Sequence, residues 1–175
     1  MRIRMIHAAM LLALPLVTGC TREATPTQTT TAAAEPTFML ASSPTDPAAG
    51  VEDVKRTAKE GDTIVMRGRI GGHREPMSAD AAVFIIADLS MPHCGEIEGD
   101  TCPRPWDYCC EPRESLMAKT ATIQVVDGLG APYAVDLREM GLAPLDEVIV
   151  VGTVGARPSP DVLVIRATGI HRVTG

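Results

Sequence analysis

The chain has 175 residues, with 16 Lys and Arg against 22 Asp and Glu, for a formal charge of −6. That length accommodates one ordinary domain. The acidic balance and the scarcity of rings (Phe38, Phe84, Trp106, Tyr108 and Tyr133) deny it the basic footprint and stacking surface of a general nucleic-acid binder.

In chain order, residues 1–19 come first. Arg2 and Arg4 precede an apolar run from Ala8 to Val17, and small residues follow, Thr18 and Gly19 before Cys20. A basic start, a short apolar stretch and a small-residue cut site describe an export signal, too short to favour a permanent membrane helix. The stretch Val17-Thr18-Gly19-Cys20 resembles the lipobox of bacterial lipoproteins, whose cysteine is lipidated and becomes the new N-terminus. The resemblance implies lipid on Cys20 and attachment to the cell-envelope membrane, facing the periplasm or the exterior. Removing residues 1–19 takes away two arginines and no acids, which leaves 14 basic against 22 acidic residues, or −8. Membrane attachment then depends on acyl chains, at about 0.8 kcal/mol per buried CH2, rather than on basic residues meeting anionic head groups.

Residues 20–50 read as a disordered tether: from 21 to 50, 21 of 30 positions are Thr, Ala, Pro or Ser. Phe38-Met39-Leu40 is the apolar knot within it and reads as incidental hydrophobicity, with docking onto the domain as the lesser alternative. The folded domain, residues 51–175, is expected to open with a short helix from Val51 to Ala58 before a Gly61-Asp62 turn.

Period-two alternation starts at Thr63, with Ile64, Met66 and Ile70 on the inner face of a strand that stops at Gly71-Gly72. Val83–Ala87 is an apolar run of strand length. A third strand turns Ala121, Ile123 and Val125 inward. Asp136–Met140 is expected to form about one helical turn, with Asp136 as N-cap and Gly141 as stop. Glu147–Val154 is a fourth strand and Val162–Arg172 a fifth, where the apolar phase shifts at Gly169 and predicts a bulge.

Three strands, a short helix and two more strands match a five-stranded Greek-key barrel. The segments Gly61–Ile70, Phe84–Asp88 and Glu147–Val154 resemble OB-fold domains, particularly the oligonucleotide-binding branch. The resemblance covers residues 61–173 and implies an all-β, OB-like barrel with a short helix. Fold alone assigns no ligand. The nucleic-acid alternative needs Arg67, Arg69, Arg74 and Arg166 to converge on one barrel face, and the acidic balance weighs against it.

The departure from that pattern is an insert of about thirty residues, 89–119, between the second and third barrel strands, where a connection normally takes two to six. It carries Cys94, Cys102, Cys109 and Cys110 in the spacing C-x7-C-x6-C-C. In an exported chain an even cysteine cluster reads first as disulfides, and four cysteines permit three connectivities. A bond between adjacent Cys109 and Cys110 is strained, so each is expected to reach back to Cys94 or Cys102. A bridge closing about fifteen residues stabilises by roughly 3 kcal/mol in the chain-entropy picture. The alternative is zinc or copper(I) held by His93, Cys94, Cys102, Cys109 and Cys110, although no C-x2-C or H-x3-H pair supports it. Redox exchange is less favoured still, because C-x-x-C is absent.

The run from Gly99 to Cys110, with Cys102-Pro103-Arg104-Pro105-Trp106-Asp107-Tyr108-Cys109-Cys110 at its centre, resembles a segment of exported bacterial proteins of unassigned activity. Trp106, Tyr108 and Arg104 are the candidate contact residues for a protein or glycan of the envelope, with capping of the barrel end as the structural alternative for both rings. His73 reads as a turn residue and His171 as an edge residue. No nucleophile elbow, H-E-x-x-H helix or phosphate loop is present, so the expectation is a non-catalytic binding module without a cofactor.

Overall fold

The computed structural model describes residues 37–173. Six strands are present: β1 (Ala49–Gly50), β2 (Thr63–Ile70), β3 (Val83–Ala87), β4 (Thr120–Val125), β5 (Glu147–Val154) and β6 (Val164–Arg172). Helix α1 spans Val51–Thr57 and α2 spans Arg113–Lys119. The sheet runs β2-β3-β4-β6-β5 and closes by pairing β5 back onto β2, with β4 and β6 parallel and β1 added along β2. This is a closed five-stranded OB-like barrel with one extra strand, and β4 leaves the end of β6 beyond Ala167 unpaired on one side.

Alternation explains the core. Met66 and Ile70 of β2, Phe84 and Ile86 of β3, and Ala121, Ile123 and Val125 of β4 face inward and are buried. Val148, Val150 and Val154 of β5 join Ile165, Ala167 and Ile170 of β6 in the same cluster. The bulge lies one residue before the predicted glycine: Val151 pairs with Gly169 and Gly152 with Ala167, so Thr168 is the extra residue and Ile170 returns to the core.

Two expectations require correction. Residues 136–140 form successive hydrogen-bonded turns of the 3-10 kind and no α-helical turn: Glu139 N–H donates to Asp136 O, Met140 N–H to Leu137 O and Gly141 N–H to Arg138 O. Asp136 still caps this stretch, accepting the Arg138 N–H at 2.9 Å, and Gly141 ends it at φ 87°. The second correction concerns the tether. Phe38 is buried, its ring 5.2 Å from that of Tyr133. Leu40 N–H donates to Ile170 O and Ile170 N–H to Phe38 O, at 2.7 and 2.8 Å, so residues 38–40 lie along β6. The composition of this stretch is tether-like, but one phenyl ring and two ladder bonds suffice to dock it.

Helix α1 is clamped at both ends. Gly50 supplies no side-chain cap, and the Asp88 carboxylate at the end of β3 accepts the Glu52 N–H instead, at 3.0 Å. Lys55 is buried and donates to the carbonyls of Met117 and Thr120. Burial lifts the carboxyl of Asp88, but N–H donors from Glu52 and Ser90 outweigh it and hold the group below its ordinary value.

Replacing Phe38 with Ala should cost about 3 kcal/mol in urea unfolding, the usual range for a buried phenyl, whereas a free tether would show no change. A depressed carboxyl stabilises fully above the unfolded pKa of about 4, and that contribution is lost as pH falls through the lower folded value. Asp88→Asn should therefore lose about 1 kcal/mol at neutral pH and show a flatter fall in stability below pH 4 than the parent chain.

Candidate functional site

The insert is locked to the barrel where β2 ends. The Gly72 N–H donates to Trp106 O at 2.9 Å, and the Trp106 Nε1–H donates to Arg74 O at 3.2 Å. A Cβ on Gly71 would stand 2.8 Å from both Trp106 O and the Tyr108 ring, so only glycine permits this approach. Trp106 lies in a single turn, Pro105–Asp107, after which Tyr108 takes a left-handed conformation at φ 56°. That reversal drives the Tyr108 ring inward against Ala87, Met91 and Leu116.

Tyr108 is thereby 0% exposed, which removes it from the predicted contact surface and makes it the plug that seats the insert. Its hydroxyl finds no hydrogen-bond partner among the described residues. Burial raises its phenol above the ordinary value, with Arg69 opposing. Trp106 and Arg104 remain partly exposed, as a contact role requires.

The four cysteines converge. Cys94, in the turn Cys94–Glu96, is buried; Cys102 is half-buried; Cys109 and Cys110 are exposed. Cys109 Sγ stands 3.6 Å from Cys94 Sγ and 3.6 Å from Cys102 Sγ, and all three sulfurs lie within 4.8 Å of one another. These are contact distances, longer than the bond of about 2.05 Å that a disulfide requires. Cys110 points to Asp100, its Sγ 3.2 Å from Oδ2, while Asp100 Oδ1 accepts the Cys102 N–H at 2.7 Å.

Burial opposes ionisation of Cys94, but hydrogen bonds centred on its sulfur from Cys110, Cys109 and Cys102 outweigh burial and lower its pKa. The neighbouring Cys102 and Cys94 sulfurs push Cys109 up to about 12, and the Asp100 carboxylate pushes Cys110 up to about 11. His93, predicted as a possible fifth ligand, stands outside both groupings of potential ligand atoms. Its Nδ1 accepts the Gly95 N–H at 3.1 Å, and its backbone N–H donates to Glu96, closing a capping box.

On the outer face of the β3–β4 pair lies a cleft of about 700 Å³. Val83, Ile85 and Thr122 belong to its lining, together with Trp106 and the arginines Arg74, Arg104 and Arg138 against one carboxylate, Glu75. Arg104 Nε is buried without a hydrogen bond and stands 4.0 Å from Asp107. Arg138 grips Asp136 through Nε and Nη2 at 2.8–3.0 Å. A cleft of about 840 Å³ between α1, α2 and residues 157–161 contains none of the cysteines or aromatic rings.

Of the four arginines considered for nucleic acid, Arg74 alone reaches either cleft. Arg67 pairs with Glu147, Arg69 with Glu96, and Arg166 donates to Gly130 O at 2.7 Å. His73 occupies an exposed turn, and His171 sits at the barrel edge with Nδ1 3.2 Å from Leu40 O. Sequence reasoning missed Arg138 and Asp100; the acid two residues before Cys102 was the available signal for the latter. Cys20 and the signal-like residues 1–19 lie outside the described residues. Among the described residues no helix is long and apolar enough to cross a membrane.

No family model matches the chain, and no curated protein matches it. Among solved structures, the hypothetical protein ygiW from E. coli is similar over 74% of this chain and 94% of its own, at 15% identity and a TM-score of 0.38. That distant likeness carries no functional argument.

Tyr108→Phe removes an unpartnered buried hydroxyl and should leave the unfolding midpoint unchanged or raise it. Tyr108→Ala should cost about 3–5 kcal/mol and shift the Trp106 emission as the insert loosens. A large loss in the Phe variant would reveal a partner for the hydroxyl and overturn the plug assignment.

Proposed function

We propose that this chain is a non-catalytic, lipid-anchored module of the bacterial cell envelope that binds an anionic glycan in the cleft beside Trp106. One observation carries the reading: an indole and three arginines border an apolar patch of the barrel wall, with a single carboxylate among them. A sugar ring offers a C–H face to the indole, and its carboxylate, sulfate or phosphate groups suit planar guanidinium forks. Asp107 and Asp136 already face two of those forks, which favours a ligand of moderate charge over a polyanion such as nucleic acid.

The cleft is concave and of small-ligand size, which favours a glycan over the broad, flatter contact of a protein partner. Its lining supplies stacking and charge rather than a nucleophile with its base, and the reading is non-catalytic for that reason. The export signal and the lipid on Cys20 expected from residues 1–20 supply the address: a module held at the membrane surface facing envelope polysaccharide.

Trp106 is the chain's one tryptophan, so its emission reports directly on the cleft. Titration with a uronate-bearing or sulfated oligosaccharide should give a saturable emission change that a neutral oligosaccharide of equal length does not. Arg74→Ala and Arg104→Ala should each weaken binding about tenfold, the scale of one charge-assisted hydrogen bond. Equal responses to charged and neutral sugars, or no saturable response, would overturn the reading.

A further inference from the structure

The thiol cluster has a geometry that paired cysteines do not need. A disulfide joins two sulfurs and excludes a third, yet Cys109 Sγ is 3.6 Å from Cys94 Sγ and 3.6 Å from Cys102 Sγ. Thiolates arranged tetrahedrally around zinc at a Zn–S distance of about 2.3 Å stand about 3.8 Å from one another. From this spacing we propose that Cys94, Cys102 and Cys109 bind one thiophilic d10 ion, Zn(II) or Cu(I), and that the ion fixes the insert on the barrel.

Three turns deliver the ligands. Cys94 comes from the buried turn Cys94–Glu96, Cys102 from the loop held by Asp100, and Cys109 from the turn closed by the Glu111 N–H on Tyr108 O at 3.0 Å. An ion at their centre ties these turns to one point and closes two loops of the insert at once, which no single bridge does. The insert needs such a tie, since its apolar anchors in the small cluster with Ala87 are Met91, Tyr108 and Leu116. Cys110 and Asp100 form a second group with Cys94, which Cys102 and Cys109 do not join, so the fourth position of the ion is left to solvent or another ligand. Soft thiolate donors select Zn(II) and Cu(I) over hard cations. Binding turns up to three S–H groups into thiolates and releases their protons to solvent; no electrons move.

This inference stands apart from the glycan reading, because metal content is measured without any sugar. The full chain, purified without oxygen or chelator, is titrated with Zn(II) in one arm and Cu(I) in the other, and read by native mass spectrometry and elemental analysis. One ion per chain is expected, with a rise in melting temperature. Cys94→Ser, Cys102→Ser and Cys109→Ser should each weaken binding about 100-fold, whereas His93→Ala should leave it unchanged. Cys109 is exposed, so its variant keeps the barrel intact, which β-sheet circular dichroism checks. The arm with the tighter binding identifies the ion. Failure of the reduced chain to take up either ion, binding that survives Cys109→Ser, or metal-free native protein carrying two intact disulfides would overturn the proposal. Loss of sugar binding with the ion in place would overturn the glycan reading alone.

Discussion

The close approach of residues 106–108 to Gly71 and Gly72 governs the rest of the molecule. At this point an insert with no sheet of its own meets the end of a barrel strand. The contact consists of one backbone hydrogen bond, one buried ring and the absence of a Cβ. A side chain at position 71 would collide with both a carbonyl and the phenol ring, neither of which can yield without moving the insert. Because Trp106 precedes the left-handed Tyr108 and Cys109 follows it, the same reversal sends the indole toward the cleft and the thiol toward its cluster. Cleft and cluster are thus two faces of one docked turn.

Helix α1 reinforces this arrangement from the other side. Its N-terminus is capped by Asp88, the residue at which the chain enters the insert, and Lys55 grips carbonyls at Met117 and Thr120, where the chain leaves it. The ammonium lies against carbonyls at the end of α2, where a cation complements the terminal dipole. Burial lowers the pKa of Lys55, yet Asp161 opposes that effect, and both hydrogen bonds use the ammonium's protons. Entry and exit of the insert are therefore fastened to one rigid element packed on the barrel through Val51 and Val54.

Much of this was legible in the chain itself. Alternation at Met66, Ile123 and Ile165 marks an inner face, Val83–Ala87 reads as an apolar run without a face, and the element order implied a Greek-key barrel. The role of Phe38 was hidden because composition averages over a window, while docking requires only one ring and a free strand edge. For Tyr108 the sequence left contact and capping open, and the structure gives the buried reading: a tyrosine between an exposed turn and two cysteines gives no periodic signal, and its burial follows from a backbone reversal that propensity does not encode. Arg138 belongs to a segment distant in sequence from Trp106, and only barrel closure brings both to one cleft. The convergence of four cysteines was expected, but the spacing C-x7-C-x6-C-C does not distinguish pairwise from three-way association.

The distinction between pairing and three-way association turns on the central sulfur. Two bridges would pair Cys109 with Cys102 and Cys94 with Cys110, whose sulfur lies within 4.8 Å of the Cys94 sulfur but 3.2 Å from Asp100 Oδ2. Asp100 also accepts the backbone N–H of Cys102, so removing Cys110 from it disturbs the loop that presents the third sulfur. The proposed ion would leave Cys110 on Asp100 and the turn at Tyr108 in its docked conformation. In an oxidising compartment the same thiolates are protected only while a metal holds them. On the proposed metal reading, occupancy of the cluster and rigidity of the loop bearing Trp106 and Arg104 would be linked, and emptying the cluster would loosen the wall of the cleft.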